Sequence, residues 1–297
     1  MTPNALIWNP LRQTNDRLLV YYNSTKSNLG LRQWLADDGG WATVWAEREE
    51  SAKGNIKVGS GLTALRWRDW IRVYGIVSVK RTDGDDINYV SLLSPVIQSL
   101  GLKTDYNRLT GTGNSKDKAW LYFLTGAESP VINERDTDNS TTKAINKTQT
   151  LLNDSDPPAL TDLASAYTHK NHKRYVFFQT NDSSIHIVDV AGNTVSTDAR
   201  PGTPLAATSF IHGEKEYLVL YYVRKADDLL ARSHIVSGIP GAKWANKTLD
   251  GTGNPAQETL SVAPNPTQSQ NTVVFLDSEN ETQIYADDWD VIINPSA

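Results

Sequence analysis

Few side chains in this 297-residue chain are of a type that moves protons near neutral pH. His186 and His212 stand on or beside short apolar runs and are the candidate acid–base groups, because imidazole titrates in that range. His169 and His172 sit three apart, but no carboxylate stands at a zinc-ligand spacing from them, and the pair reads as a solvated turn. The chain has no Cys, which removes thiolate nucleophiles, redox pairs, thiolate metal sites and a disulfide scaffold. No GxSxG, HExxH, GxGxxG or GxxxxGK[ST] pattern occurs, so no covalent, zinc-dependent or phosphate-cradling reaction is signposted. We expect neither a metal nor a cofactor. What is plentiful is aromatic surface, with 9 Trp, 12 Tyr and 5 Phe. Trp67 and Trp70 flank a turn next to Arg72, and Trp34 and Trp41 stand close to Gln33. Tyr89, Trp120, Tyr167, Tyr222 and Trp244 are further wall candidates. Such groups bind by stacking, shape and a few hydrogen bonds. For any single one of them, packing between elements is the competing reading.

The elements that must position these groups are short. Leu18–Tyr22, Ile71–Ile76, Trp120–Leu124, Tyr175–Gln179, Leu218–Tyr222 and Thr272–Leu276 are runs of β-branched and aromatic residues bounded by Gly, Asn, Asp, Ser or Pro, the pattern of strands. No helical apolar period is sustained, and Gly39-Gly40 interrupts the nearest candidate, between Trp34 and Glu50. One aromatic from each run (Tyr22, Tyr74, Tyr122, Phe177, Tyr221, Phe275) gives spacings of 52, 48, 55, 44 and 54. Segments of small residues such as Leu160–Ser165 and Pro204–Ser209 precede several runs, and further strands follow them. A unit of three or four antiparallel strands repeated in this way is a propeller blade. We therefore expect an all-β fold, a six-bladed β-propeller of about 50 residues per blade formed as one domain over residues 1–297, with inter-blade packing as the role of most aromatics. The segment from Gly126 to Pro158 is the least regular, and we expect it to hold the outer strands of blade three and an enlarged loop.

The formal charge is −5 and the isoelectric point about 5.6. That balance argues against a nucleic-acid partner, since phosphate binding wants clustered Lys and Arg. No apolar run approaches the ~18 residues of a membrane span. The N-terminal residues lack a basic segment followed by a long apolar one, so we expect no secretory leader and a cytoplasmic location. Sequons at Asn23, Asn139, Asn146 and Asn246 are then products of a Ser/Thr/Asn-rich composition.

The repeats resemble those of fungal fucose-specific lectins, six-bladed propellers with sugar sites between adjacent blades. The resemblance rests on Pro204-Leu-Ala-Ala-Thr-Ser-Phe210, on strands such as Ile71-Arg-Val-Tyr74, and on Leu31–Trp41, which ends in Gly-Gly-Trp. It implies, for each site, an Arg from the second strand, a Glu or Gln from the third, and an aromatic beyond it. Blade one keeps Gln33 and Trp41 but has Leu19 in place of the Arg. Blade two keeps Arg72 without a following Trp. The remaining blades have Trp120, Tyr175, Leu218-Val219 and Thr272-Val273 at that place, so no blade keeps all three groups. A small set of fungal biosynthetic enzymes is similar to these lectins, the hetero-Diels–Alderases of tropolonic sesquiterpenoid pathways, and this chain resembles them more. That likeness implies a cofactor-free pericyclase. A tropolone or phenol precursor loses water to an ortho-quinone methide, which then adds to a humulene-type sesquiterpene. Arg72, His186 and His212 would be its catalytic groups and the aromatics its walls. An inter-blade salt bridge is the competing role of Arg72. The lectins' dimerisation implies a homodimer, for which the chain shows no interface signal. A low-valency fucose lectin and a pure interaction module remain the alternatives.

Overall fold

The computed structural model describes residues 2–294 except 10–16, 25, 36–39, 46–54, 69, 83, 146–150, 152, 156–157, 189–193, 253–254 and 280. The described residues form two compact units, Met1–Lys143 and Ala144–Ala297. Each is built from antiparallel sheets whose strands follow one another in sequence order.

In the first unit, blade one holds β1 (Thr2–Trp8), β2 (Arg17–Asn23), β3 (Leu29–Leu35) and β4 (Gly40–Trp45). Blade two holds β5 (Thr63–Trp67), β6 (Trp70–Val79), β7 (Ile87–Ser94) and β8 (Gln98–Lys103). Blade three holds β9 (Leu109–Gly113), β10 (Ala119–Thr125), β11 (Val131–Asp136) and β12 (Thr142–Ala144). The irregular segment is thus the outer half of blade three, followed by a two-stranded ribbon of β13 (Asn153–Ser155) and β14 (Pro158–Leu160). In the second unit, blade four holds β15 (Ala164–Thr168), β16 (Lys173–Gln179), β17 (Ile185–Ile187) and β18 (Thr194–Ser196). Blade five holds β19 (Ala206–His212), β20 (Lys215–Val223), β21 (Leu230–Val236) and β22 (Ala245–Thr248). Blade six holds β23 (Pro255–Asn265), β24 (Gln270–Asp277) and β25 (Thr282–Asp288). The five-residue helix α1 (Trp289–Ile293) follows, capped by the Asp288 carboxylate, which accepts from the Asp290 N–H. The stretch from Trp34 to Trp45 is strand on both sides of Gly39-Gly40.

Strand pairing fixes a common register. In each first strand a small residue (Ala5, Thr63, Thr110, Ala164, Ala206, Ser261) stands opposite a bulkier one in the second (Tyr21, Tyr74, Tyr122, Phe177, Tyr221, Val274). All six of the bulkier residues are buried. Tyr21, Tyr74, Phe177 and Tyr221 each fill the space toward the next blade of their own unit. The small partner allows first strands to approach, and the large one supplies volume where the blades diverge. The spacing-based choice of residues differs from this register at two blades. Tyr22 lies one position out, on the opposite face of blade one with its ring over Gly30, so that a Cβ on Gly30 would collide with it. Phe275 faces back toward blade five, and Val274 holds the common row. Both displacements are single-residue slips, which reverse the face of a strand residue.

Blade six closes on blade five through a buried polar network. Arg232 is fully buried and pairs with Asp287, and its Nη2 donates to the Val291 carbonyl at 2.9 Å. The Tyr221 hydroxyl donates to Asp287 Oδ2 at 2.7 Å and accepts from Asn271 Nδ2 at 2.9 Å. Asn271 Oδ1 in turn accepts from the Trp289 indole at 3.0 Å. Phe210 is stacked between Tyr217 and Trp289, with centroids at 5.2 and 4.3 Å. Removing one partner of such a pair leaves a buried charge. Asp287→Ala is expected to lower unfolding stability by about 3–5 kcal/mol. The Arg232→Met/Asp287→Leu double variant should recover most of that loss, as read from urea denaturation midpoints.

Candidate binding sites between blades

The row two residues before the bulky one in each second strand reads Leu19, Arg72, Trp120, Tyr175, Val219 and Thr272. Arg72 is the single arginine in it. It faces blade three with Tyr74 and Trp67, because residues at even numbers along this part of β6 share one side of the sheet. Its guanidinium carbon lies 3.6 Å from the centroid of the Trp67 ring, and Nη1 donates to the Tyr74 hydroxyl at 3.5 Å. A second guanidinium, from Arg68, lies 4.2 Å from the same ring. Arg68 holds φ +54° in the β5–β6 turn, a conformation side chains rarely take, and its N–H donates to the Lys116 carbonyl of blade three. The Trp67 indole N–H donates to Asp138 Oδ1 at 3.2 Å. Burial raises the Tyr74 hydroxyl above its ordinary pKa, against the pull of Arg72, so it stays a donor at neutral pH. The site thus offers an aromatic face, guanidinium and hydroxyl donors, and one carboxylate. Asp138 comes from the turn between β11 and β12, and sequence reasoning missed it; a short acidic turn on a neighbouring blade carried no signal that pointed at Trp67.

The equivalent site between blades four and five is apolar. Tyr175 stands at the arginine position, with its hydroxyl 3.5 Å from Ser237 Oγ, which also accepts from Asn171 Nδ2 at 3.1 Å. The Trp244 ring meets Phe177 edge-on at 6.0 Å, and Ile235 and Ala207 pack against the same cluster. The Trp244 indole nitrogen is buried and has no acceptor among the described residues.

The remaining predicted residues are dispersed. Gln33 pairs with Leu19, and Trp34 pairs with Trp41 in the neighbouring strand. The side chain of Trp41 lies outside the described residues. Trp70 is exposed at the end of blade two. Tyr89 pairs with Val77, on the other face of that blade and at its far end from Trp67. Trp120 is buried in β10 on the face of blade three turned away from Arg72. Tyr222 is a core residue whose hydroxyl accepts from Ser196 Oγ at 2.9 Å. Tyr167 packs against His169 and His172, its hydroxyl 3.2 Å from His172 Nδ1. His186 lies against Phe178, on the opposite face of blade four from Phe177. His212 ends β19 and faces Asp290 at 3.7 Å. His186 and His212 therefore belong to different blades and different surfaces, and Arg72 belongs to the other unit. Among the described residues no group of three or more His, Asp and Glu could hold a metal ion, and no helix is long and apolar enough to cross a membrane.

The comparisons bear on the fold. No family model matches the chain. Two curated relatives are both described as wall-associated proteinase. That of Coccidioides posadasii is 23% identical, covering 96% of this chain and 95% of the relative. That of Coccidioides immitis is 23% identical, covering 87% and 86%. Among solved structures, AofleA from Arthrobotrys oligospora superposes with TM-score 0.58 at 15% identity, covering 95% of this chain and 85% of that one. The SapL1 lectin, solved with alpha methyl fucoside, superposes with TM-score 0.59 at 15% identity, covering 92% and 93%. Together with the six sheets they show the fold, an all-β six-bladed propeller.

A titration follows from the blade five–six side of this surface. His234 is buried opposite Val219, and burial, helped by Arg232, lowers its pKa to about 4. A native pKa below the unfolded 6.5 means that the unfolded chain binds the extra proton, so stability falls as pH drops from about 6.5 toward 4. Asp287, whose carboxyl burial raises against the attraction of Arg232, acts in the opposite sense. Comparison with a variant isolates His234. Thermal midpoints of His234→Leu should decline less between pH 7 and pH 4 than those of the wild type, by an amount equivalent to at most about 3 kcal/mol.

Proposed function

We propose that the chain is a carbohydrate-binding propeller of low valency, with its saccharide site between blades two and three. The observation that carries this reading is Arg72, the only arginine in the six-membered row, placed beside Trp67, Tyr74 and Asp138. Arg72 and the Tyr74 hydroxyl donate to sugar oxygens, Asp138 accepts from a sugar hydroxyl, and the indole covers the apolar C–H face of the ring. Arg72 or Arg68 swings off the indole to admit it. Among this protein's neighbours in fold, SapL1 was solved with a methyl fucoside, which makes methyl α-fucoside the first ligand to try. Titration calorimetry should give saturable binding that Arg72→Ala weakens about ten- to hundredfold, the loss expected when a buried hydroxyl loses its partner. Absence of saturable binding by the wild type, to fucoside and across a glycan array, would sink the reading.

A second reading draws on the site between blades four and five. Tyr175, Ile235 and Trp244 offer an apolar wall with one hydroxyl pair, which suits an aromatic or terpenoid ligand better than a sugar. In this reading the protein is a cofactor-free hetero-Diels–Alderase. It assists loss of water from a hydroxymethyl tropolone or phenol and holds the resulting ortho-quinone methide against a humulene-type alkene. Orientation supplies the acceleration, and the Tyr175–Ser237 hydroxyls hydrogen-bond the quinone oxygen. Incubation of the two precursors should give a single stereoisomer with the wild type and a control-like mixture with Tyr175→Phe/Trp244→Ala. A product ratio equal to the uncatalysed control with the wild type removes this reading.

A further inference from the structure

We propose that the hairpin end of blades four and five is a docking surface for an anionic lipid bilayer. Three turns meet there. The β15–β16 hairpin, residues 169–172, is tied to blade five by Glu216, a buried carboxylate that accepts from the His169 and Lys170 N–H groups at 2.5 and 2.9 Å. The β21–β22 turn, residues 237–244, is joined to the same hairpin through Asn171 and Ser237. The β19–β20 turn is reached by the Lys170 ammonium, which donates to the Glu214 carbonyl.

The charge of this surface opposes that of the chain. Lys170, Lys173, Arg174, Lys215 and Lys243 are all exposed on it, against the carboxylates of Glu214 and the buried Glu216. Asp288 and Asp290 lie at the neighbouring end of blade six, where Asp290 faces His212. His169 and His172 stand on the β15–β16 turn, and His212 ends β19 beside it. In a protein whose formal charge is −5, this is a local cationic surface. Within it two aliphatic side chains point out of the fold: Ile211 is 44% exposed and Ile239 51%. A nucleic acid or a soluble polyanion would satisfy the cations and gain nothing from the isoleucines. A bilayer satisfies both, because headgroup phosphates and carboxylates meet the Lys and Arg while aliphatic tips enter the acyl boundary. The tips are held on tied hairpins, so little ordering is needed on contact.

Flotation with extruded vesicles tests this on the full chain. Vesicles of phosphatidylcholine with about 30% phosphatidylserine should carry the protein, and pure phosphatidylcholine vesicles should not. Lys173→Glu/Lys215→Glu/Lys243→Glu should lower the partition coefficient at least about tenfold, and so should Ile211→Ser/Ile239→Ser, with thermal midpoints unchanged. Methyl α-fucoside should not compete, which keeps this result separate from the saccharide reading. No binding to the charged vesicles overturns the proposal. Loss of binding in the charge variant but not in the isoleucine variant, with equal binding to heparin, also overturns it and assigns the surface to soluble polyanions.

Discussion

The structure depends on filling a wedge. Blades that converge on their first strands diverge on the second and third, and the gap must be filled at interior density or the sheets lose their contacts. Here one row does it: small residues such as Ala5, Ala164 and Ala206 on the first strand, and bulkier ones such as Tyr21, Phe177 and Tyr221 opposite. Because the strand period is two, this row dictates which neighbouring residues face the next blade. Arg72 faces blade three because Tyr74 does, and Tyr175 faces blade five because Phe177 does. The candidate sites are consequences of the packing constraint, placed one pleat away from it.

The same logic explains how the sites differ. Where the row position is charged, as at Arg72, its own blade supplies the indole of Trp67 and the neighbouring blade answers with Asp138. Where it is aromatic, as at Tyr175, the answer is Trp244 and Ile235. Between blades five and six the position is Val219, and the polar groups have moved inward to the Arg232–Asp287 pair. Charge at that depth is tolerated because Tyr221, Asn271 and Trp289 complete a hydrogen-bonded chain. That interface is a closed structural joint, while the Arg72 side presents guanidinium donors and an aromatic face.

Much of this was legible in the sequence, for a physical reason. Alternation and spacing are local properties, so the six units and the isolation of Arg72 in its row could be read from single strands. Adjacent buried residues defeat the same reading. Tyr21-Tyr22 and Val274-Phe275 are interior on both faces of their sheets, so nothing in the pattern says which one points toward the next blade. Partners supplied by another blade were beyond it too. Asp138 is 71 residues from Trp67, and Glu216 is 47 from the His169 turn that it holds. The grouping of His186 and His212 with Arg72 as one catalytic set joined histidines chosen by residue type to an arginine chosen by resemblance, and the strands carry the two histidines to separate surfaces.

The central proposal is that the chain binds one saccharide, between blades two and three at the row position held by Arg72. The number of methyl α-fucoside molecules bound per chain tests this most directly, read by calorimetry at saturation and by the position of the sugar in a crystal of the complex. The account predicts one sugar, seated among Trp67, Arg72, Tyr74 and Asp138. Several sugars per chain, or one seated between blades that lack an arginine in that row, would contradict it.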